Sequence, residues 1–402
     1  MRVRVRYDAT AIAGLDDPYP AYAALREAGP VVPAGPGVWA VTGHADVTAL
    51  LADPRVGHEF PDVVYQASGE PDAVTGFFRA TVLNRDAPVH TVLRRAMSRL
   101  LAPRAVAGLR GRVDELVGEL FTAMDGDADL VTGLAAPLPV TVAAELLGIP
   151  VADRDLVRPY AMTLARAFGA GIRVEGDRDA TAAAVTWLRA YVRELLAERE
   201  RRGRDDDPLA GLLATADPGG AITAEALVDN VIFLFFAGFD TTTNLIATGC
   251  AALLSRPEVL ARLRAEPELV PSAVEEFLRF DAPIQATARL TRAPIEVSGR
   301  RINANRLVVL LLAAANRDGR RFARPDELDI ARTPNPHVSF SAGPHFCLGA
   351  TLARLEGAAV FDRIARGLAG FEPAGVPVRR RHMSFRGYDH LPARVRLGAF
   401  PG

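Results

Sequence analysis

The sequence predicts a mainly α-helical protein with small β-sheets, folded as a single domain over residues 1–402. Apolar residues recur at three- and four-residue spacing through most of residues 86–255, which is the pattern of amphipathic helices. Strand-like segments occur before and after that region. No internal repeat and no Pro/Ser-rich linker divides the chain, so we expect one compact unit.

The composition is that of a folded protein with no nucleic-acid or membrane partner. Hydrophobic residues make up 49% of the chain, and a formal net charge of −1 gives no support to a polyanion partner. The longest apolar runs, 231–239 and 307–315, are about half the ~18 residues of a membrane span. The two cysteines, Cys250 and Cys347, are far apart and form no disulfide framework, so we expect a reducing cytoplasm.

Short elements are expected on both sides of the helical region. They are, in order, a helix at 19–29, a strand at 37–43, a hairpin at 295–302, a strand or buried helix at 307–312 and a strand in the tail at 391–400. The hairpin prediction rests on Ser298-Gly299, because a two-residue turn between alternating segments favours that dipeptide type.

The longest helical pattern covers residues 223–255, about 50 Å at 1.5 Å per residue. Its centre, AGFDTTT (237–243), contains residue types that are poor in a helix interior. This predicts a local opening of the hydrogen-bond ladder that is kept for function. Ala237 and Thr241 are four residues apart and share one face of the helix.

The segment SFSAGPHFCLGA (339–350) places Cys347 in a loop rich in glycine and proline. A zinc site would need several Cys or His ligands at set spacings, and no second cysteine is near. A nucleophilic cysteine would need a base, and His345, two residues away, rarely has the geometry to serve. An inert cysteine in a loop is the remaining structural alternative.

A thiolate that binds haem iron explains the loop best. Gly343 and Gly349 allow tight backbone conformations close to a flat macrocycle. A helix beginning near Leu348 would turn its positive end towards the sulfur of Cys347 and stabilise the anion.

These two segments resemble the cytochrome P450 family. Its cysteine signature, Phe-Gly-x-Gly-x-His/Arg-x-Cys-x-Gly, is matched by Phe340, Gly343, His345, Cys347 and Gly349. Ser341 stands where glycine is usual. The oxygen-activation motif, Ala/Gly-Gly-x-Asp/Glu-Thr-Thr/Ser, is matched by 237–242. The resemblance spans nearly the whole chain and implies the P450 fold, a single domain with a long central helix over the haem.

The resemblance implies haem b as cofactor, with Cys347 as the axial ligand of the iron. Ala237 would lie against the haem, Thr241 would hydrogen-bond the oxygen being activated or its water, and Asp240 would relay protons. O₂ would be the co-substrate.

Further segments match structural and cofactor-binding motifs of the family. Glu276 and Arg279 resemble its Glu-x-x-Arg ion pair, with Arg332 as the third partner and Arg324 as the rival. The residues expected to bind the two haem propionates are His90, Arg94, Arg289 and His345.

The implied reaction inserts one oxygen atom into a C–H or C=C bond of a largely apolar secondary metabolite, such as a macrolide, terpenoid or cyclic peptide. Hydroxylation, epoxidation and oxidative coupling stay open. Because the chain shows no flavin or iron–sulfur segment, electrons from NAD(P)H would come through a separate ferredoxin and ferredoxin reductase. We expect a monomer.

The substrate pocket is expected near 57–84 and 160–180 and in two further segments. Its specific residues would be Phe235, Phe236, Phe239, Ile284, Gln285, Ala286 and Thr287. Two alternatives remain: a haem-thiolate enzyme outside the standard oxygenase cycle, and a non-catalytic helical binding protein whose motifs are coincidental.

Overall fold

The structure is a computed structural model that describes most of the chain. The described residues are 5–61, 72–169, 173–174, 177–202, 209, 212–217 and 222–398. Parts of the two expected pocket segments, 57–84 and 160–180, therefore lie outside the described residues.

Helices account for most of the described chain, as the sequence predicts. The α-helices, numbered α1 to α15 in chain order, are Ala9–Ala13, Tyr19–Ala28, His44–Ala52, Asp72–Ala80, Val89–Ser98, Pro103–Gly108, Arg110–Ala123, Pro137–Leu146, Arg154–Ala167, Arg178–Arg202, Ala224–Leu254, Pro257–Ala265, Val270–Phe280, Leu312–Ala315 and Ala350–Gly367. Shorter turns are the π-helical Val131–Ala135 and the 3₁₀ segments Val82–Asn84, Val151–Asp153, Leu213–Thr215, Pro267–Leu269 and Gly343–His345.

The strands are short and form small sheets. Numbered β1 to β14 in chain order, they are Val31–Gly35, Val38–Val41, Val56–Gly57, Gly126–Asp129, Phe168–Gly169, Arg173–Val174, Thr287–Thr291, Ile295–Val297, Arg300–Ile302, Leu307–Leu310, Leu368–Pro373, Val378–Arg379, Tyr388–His390 and Pro392–Leu397. One sheet contains the order β1-β2-β10-β7, in which β10 runs parallel to β2 and antiparallel to β7. A second has the order β11-β14-β4.

The local predictions for short elements are confirmed. β8 and β9 form the expected antiparallel hairpin, and the turn residues Ser298 (φ 46°) and Gly299 (φ 76°) both have the positive φ of a type I′ turn. The open choice at 307–312 is resolved as strand β10, followed by helix α14. Its register against β2 buries Val308 and Leu310.

The contacts within the chain define two compact units. The first contains residues 1–56, 109–139 and 241–402, and the second contains 57–108 and 140–240. Each unit is made of separate stretches of sequence, and two of the four dividing points fall within α8 and α11. The single-domain interpretation stays a prediction.

In the first unit, three helices pack around a glycine. Gly249 of α11 lies against the ring of Phe361 of α15, where an added Cβ would collide with that ring. Phe361 packs in turn on Phe277 of α13, with ring centroids 4.7 Å apart. Because α15 follows the cysteine loop directly, this packing fixes the helix on which the loop ends.

In the second unit, phenylalanines from α4, α11 and β5 form a cluster. Its members are Phe77, Phe78, Phe168, Phe233 and Phe236, with ring centroids 5.1–6.4 Å apart for the contacting pairs. Edge-to-face and tilted contacts dominate, as expected from the quadrupoles of the rings.

The longest helix differs from expectation in one respect. α11 is continuous over 31 residues, so the predicted opening around 237–243 is wrong. Threonine hydroxyls are accommodated within a helix by bonding a carbonyl one turn back, as Thr248 Oγ1 does with the carbonyl of Asn244 at 2.8 Å. Among the described helices, α11 is the one long and apolar enough to span a membrane, yet 78% of that window is buried in the protein.

Candidate functional site

Backbone hydrogen bonds hold the cysteine loop in its conformation, and the thiol of Cys347 takes no part in them. The Cys347 N–H donates to the carbonyl of Phe340 at 2.9 Å, and the Phe346 N–H donates to the carbonyl of Gly343 at 3.0 Å. Cys347 itself is exposed. Helix α15 begins at Ala350, two residues later than expected, so its free N–H groups follow the thiol directly.

Two residues in this loop require the left-handed backbone conformation. Gly343 has φ 66°, and an added Cβ would lie 2.8 Å from the Cα of Ala52 and from the carbonyl oxygen of Leu51. Ser341 has φ 63°, which explains why the family uses glycine at this position. Serine adopts the same conformation here at a cost of about 1 kcal/mol. The departure from the signature therefore leaves the turn intact.

The partly exposed residues of α11 lie on one face. Between Leu227 and Leu253 every residue is buried except Leu234, Ala237, Gly238 and Thr241. The spacing of 0, 3, 4 and 7 residues places these four on a single stripe. Three of them have small side chains, so the stripe leaves room for a flat group to approach the helix. Asp240, next to the stripe, is buried.

The three phenylalanines predicted for the substrate pocket do not lie on this stripe. Phe236 belongs to the phenylalanine cluster of the second unit, and Phe235 packs on Phe239 with ring centroids 5.6 Å apart. Successive residues of a helix are rotated by about 100°, so neighbours in sequence face different directions. Leu234, which the sequence analysis did not select, takes the open position instead.

The Glu276 carboxylate is the centre of a buried ion-pair network. Arg279 donates to it through Nε and Nη2, both at 2.8 Å, and Arg332 donates through Nε at 3.1 and 3.2 Å. Both Glu276 and Arg279 are fully buried. Arg324 instead pairs with Glu327 at the surface, at 2.9 Å. Of the two candidates, Arg332 therefore makes the third contact.

The network joins helix α13 to the segment that precedes the cysteine loop. Arg279 also donates to the carbonyls of Asn316, Pro325 and Glu327 at 2.7–3.0 Å, and Asn335 donates to Glu276 at 3.1 Å. Each charged atom thus has partners, which a buried ion pair needs in order not to destabilise the fold.

The four residues expected to bind propionates occupy three elements. His90 is buried and Arg94 half-buried, one turn apart on α5. Arg289 of β7 is buried, and its Nη1 donates to Thr287 Oγ1 at 2.7 Å and to the Ala288 carbonyl at 2.8 Å. His345 is half-buried in the cysteine loop. Their convergence on one cofactor stays a prediction.

The segment 284–287 lies against a turn near the C-terminus that the sequence analysis missed. Ile284 and Phe385 form an antiparallel bridge, and the Gln285 N–H donates to the Ser384 carbonyl at 2.9 Å. The two stretches are about a hundred residues apart in sequence, so no local pattern links them. Ser384 and Phe385 therefore join the candidate pocket residues.

A buried carboxylate holds this turn in place. Asp281 accepts hydrogen bonds from Arg386 Nε at 2.6 Å, from Arg379 Nη1 at 3.1 Å and from the Tyr19 hydroxyl at 3.0 Å. Burial alone would raise the pKa of Asp281, but the two guanidinium groups hold it below its usual value. Arg379 and Arg386 are thus parts of a structural network.

Glu356 is a buried acid that the sequence analysis also missed. It lies on α15, it is 1% exposed, and its Oε2 has no hydrogen-bond partner among the described residues. Burial raises the pKa of this carboxyl from 4.5 to about 8. The folded protein therefore keeps a proton on Glu356 at neutral pH, whereas the unfolded chain releases it.

This proton makes stability fall as pH rises. The contribution of Glu356 to the free energy of unfolding is fully present below about pH 4.5. It is lost by about pH 8, at up to ~1.4 kcal/mol per pH unit. We expect Glu356→Gln to lack this loss, so that the variant gains about 3–4 kcal/mol on the wild type between pH 5 and pH 8. Urea unfolding of both proteins at the two pH values measures this. If the free energies of unfolding of the two proteins differed equally at pH 5 and pH 8, the prediction would be contradicted.

The arrangement of the described residues fits a haem-thiolate site. The thiol is exposed, its loop is fixed by backbone bonds, and a close-packed glycine precedes it. A bare metal ion fits less well, because no group of three or more His, Cys, Asp or Glu within the described residues is placed to hold one.

Comparison with known proteins gives consistent matches. The family model described as Cytochrome P450 matches residues 177–367. The chain is 38% identical over 401 residues to cytochrome P450 monooxygenase PikC of Streptomyces venezuelae, covering 96% of this chain and 93% of that protein. It is 40% identical over 360 residues to vitamin D(3) 25-hydroxylase of Pseudonocardia autotrophica, covering 87% and 85%. The crystal structure of CalO2 aligns with a TM-score of 0.88 at 31% identity, covering 98% and 100%.

Proposed function

Because the chain belongs to the cytochrome P450 family and is a P450 monooxygenase, we propose that it oxidises a largely apolar natural product of medium or large size. The reaction inserts one oxygen atom from O₂ into a C–H or C=C bond. The observation that carries the proposal is the exposed thiol of Cys347 in a loop fixed by backbone hydrogen bonds. Two relatives, the vitamin D(3) 25-hydroxylase and a 6-deoxyerythronolide B hydroxylase of Saccharopolyspora erythraea, hydroxylate vitamin D(3) and 6-deoxyerythronolide B, as their names state.

Cys347 would be the axial ligand of haem b, and His90, Arg94, Arg289 and His345 would bind its propionates. When bound, the haem supplies the reductive activation of O₂. The positive end of α15 would stabilise the thiolate of Cys347. The small residues of the α11 stripe would let the macrocycle lie close to that helix.

Thr241 and Asp240 would handle the protons of the reaction. The Thr241 hydroxyl lies on the open face of α11. It would donate hydrogen bonds to O₂-derived groups and to water, and would accept them from these partners. The buried Asp240 carboxylate, one residue away, would pass protons from solvent to that hydroxyl. Protons must arrive in step with electrons, because otherwise the reducing equivalents leave as peroxide.

Electrons would come from NAD(P)H through separate proteins. A ferredoxin and a ferredoxin reductase fit best, with exposed arginines near the cysteine loop as docking charges. We propose that the enzyme is a cytoplasmic monomer that folds as one domain. Ile284–Thr287 and the adjoining Ser384 and Phe385 would contact the substrate.

The test combines one spectrum with one reaction. The reduced protein with CO should give the strongly red-shifted Soret band of thiolate-bound haem. Reconstitution with a ferredoxin, its reductase and NADPH should then oxidise at least one member of a panel of macrolides, terpenoids, sterols and cyclic peptides. A colourless protein after expression with adequate haem would overturn the proposal. Mass analysis of the product separates hydroxylation, epoxidation and coupling.

Thr241→Ala is expected to uncouple electron use from product formation. Haem and substrate binding should be unchanged, but product formed per NADPH should fall by about tenfold or more, with peroxide rising in its place. Thr241→Ser, which keeps the hydroxyl, is the matched control and should stay near wild type. Peroxide and product are measured in the same reaction. Equal coupling in the alanine variant and the wild type would show that Thr241 does not manage the protons.

A further inference from the structure

An arginine and a glutamate on neighbouring helices form an ion pair beside the cysteine loop. Arg354 lies on α15, seven residues after Cys347, and Glu275 lies on α13. Arg354 Nε donates to Glu275 Oε1 at 2.6 Å, and its Nη2 donates to Oε2 at 2.8 Å. Such a two-point pair is among the strongest and most oriented of ion pairs.

The guanidinium of Arg354 also lies on the residue that anchors the cysteine backbone. Its central carbon is 4.6 Å from the centroid of the Phe340 ring. The carbonyl of Phe340 accepts the Cys347 N–H at 2.9 Å. Arg354 therefore contacts one end of the loop by stacking and is joined to the other end through its own helix.

His337 completes the arrangement and fixes the charge on Glu275. His337 Nδ1 accepts the Ser339 N–H at 3.2 Å, so its Nε2 donates to Glu275 Oε2 at 3.1 Å. Burial alone would raise the pKa of Glu275, but bonds from Arg354 and His337 lower it to about 2. Glu275 is therefore ionised at neutral pH and balances the charge of Arg354.

The charges of Glu275 and Arg354 act on the thiol of Cys347. The Arg354 guanidinium lies over the ring of Phe340, and the Phe340 carbonyl accepts the Cys347 N–H, so the charge of Arg354 lies beside the loop that carries the sulfur. A charge in that position interacts with the sulfur of Cys347, and the same interaction contributes to the raised pKa of Arg354. Removal of Glu275 would leave a full positive charge near the sulfur, and removal of Arg354 a full negative one.

We propose that Glu275 and Arg354 are positioning residues that set the electrostatic potential at the Cys347 sulfur and thereby tune the reduction potential of the haem iron. The inference rests on the proposed function, because it requires Cys347 to be the axial ligand. It goes beyond that function by giving a role to two residues outside the family motifs discussed above.

Two single variants should move the potential in opposite directions. Glu275→Gln leaves Arg354 unbalanced, which favours the electron-rich reduced state and raises the potential. Arg354→Gln leaves Glu275 unbalanced and lowers it. We expect each to change the reduction equilibrium by about tenfold, which is about 59 mV for one electron. The double variant Glu275→Gln/Arg354→Gln should return close to the wild type.

The measurement is spectroelectrochemical titration of the purified haem protein, without redox partners or substrate. Asp362→Asn is the matched control, because Asp362 pairs with Arg366 at 2.7 Å on the same helix, where both side chains are about half exposed. It should leave the potential unchanged. Thermal unfolding of each variant reports loss of structure separately from the potential.

Shifts of the same sign in both single variants, or no shift in either, would overturn the proposal. If the pair had only a structural role, both variants would have a lower melting temperature, and their reduction potentials would not shift in opposite directions. Failure of the proposed function looks different, since the wild type itself would then lack the thiolate CO spectrum. Failure of this inference leaves that spectrum intact.

Discussion

Cys347→Ser is expected to abolish the thiolate CO band and to lower monooxygenation by about a thousandfold or more. A serine hydroxyl stays protonated near neutral pH, so it cannot replace the anionic sulfur. The backbone bonds of the loop use the N–H of residue 347 and not its side chain, so the loop should keep its conformation. The reduced CO spectrum and product formation with a ferredoxin and reductase measure the effect.

The second cysteine supplies the control for this experiment. Cys250 is fully buried in α11, and burial raises the pKa of its thiol well above the usual value. Cys250→Ala should keep the thiolate spectrum and lose only about 1 kcal/mol of stability from the lost contacts. A thiolate spectrum in Cys347→Ser, or its loss in Cys250→Ala, would show that the ligand is misassigned.

Glu276→Gln is expected to lower the free energy of unfolding by about 3–5 kcal/mol. The change leaves the guanidinium of Arg279 buried with no countercharge and removes the ionic contact of Arg332. Arg279 still donates to backbone carbonyls, but neutral acceptors do not offset the desolvation of a full charge. Urea unfolding followed by circular dichroism measures the loss.

An exposed pair in the same region is the control for that loss. Glu327→Gln removes the partner of Arg324, where the side chains are 70% and 59% exposed. Exposed pairs contribute little, so we expect a change below about 1 kcal/mol. Similar losses for Glu276→Gln and Glu327→Gln would mean that the buried network does not carry the stability assigned to it.

Local sequence patterns were sufficient for much of the architecture. The apolar spacing of α11 and the Ser298-Gly299 turn depend on residues a few positions apart, so periodicity and turn chemistry predict them. The cysteine loop is also local, because the Cys347 N–H bonds a carbonyl only seven residues back. Family resemblance then supplied the cofactor and the reaction class, which the matches with known P450 proteins support.

Other features depended on distant parts of the chain. The selection of Arg332 over Arg324 required the path of the chain around Glu276, since both arginines have suitable spacing. The expected helix opening failed because propensity is a weak term that packing overrides, and α11 is buried along most of its length. The sequence did not show which side of α11 each phenylalanine occupies, because the helix is apolar on most sides and its neighbours decide which side is open.

The sequence by itself determined the helical class, the hairpin, the thiol-bearing loop and the adjacent Asp240 and Thr241 on α11, because each is encoded in a short stretch of chain. Tertiary structure alone decided which face of α11 is open, which arginine completes the Glu276 network and which turn adjoins Ile284. It also brought Glu275 to Arg354 beside the cysteine loop. These features depend on contacts between residues tens to about a hundred positions apart, and the free energy of such contacts depends on burial and geometry that no local pattern contains.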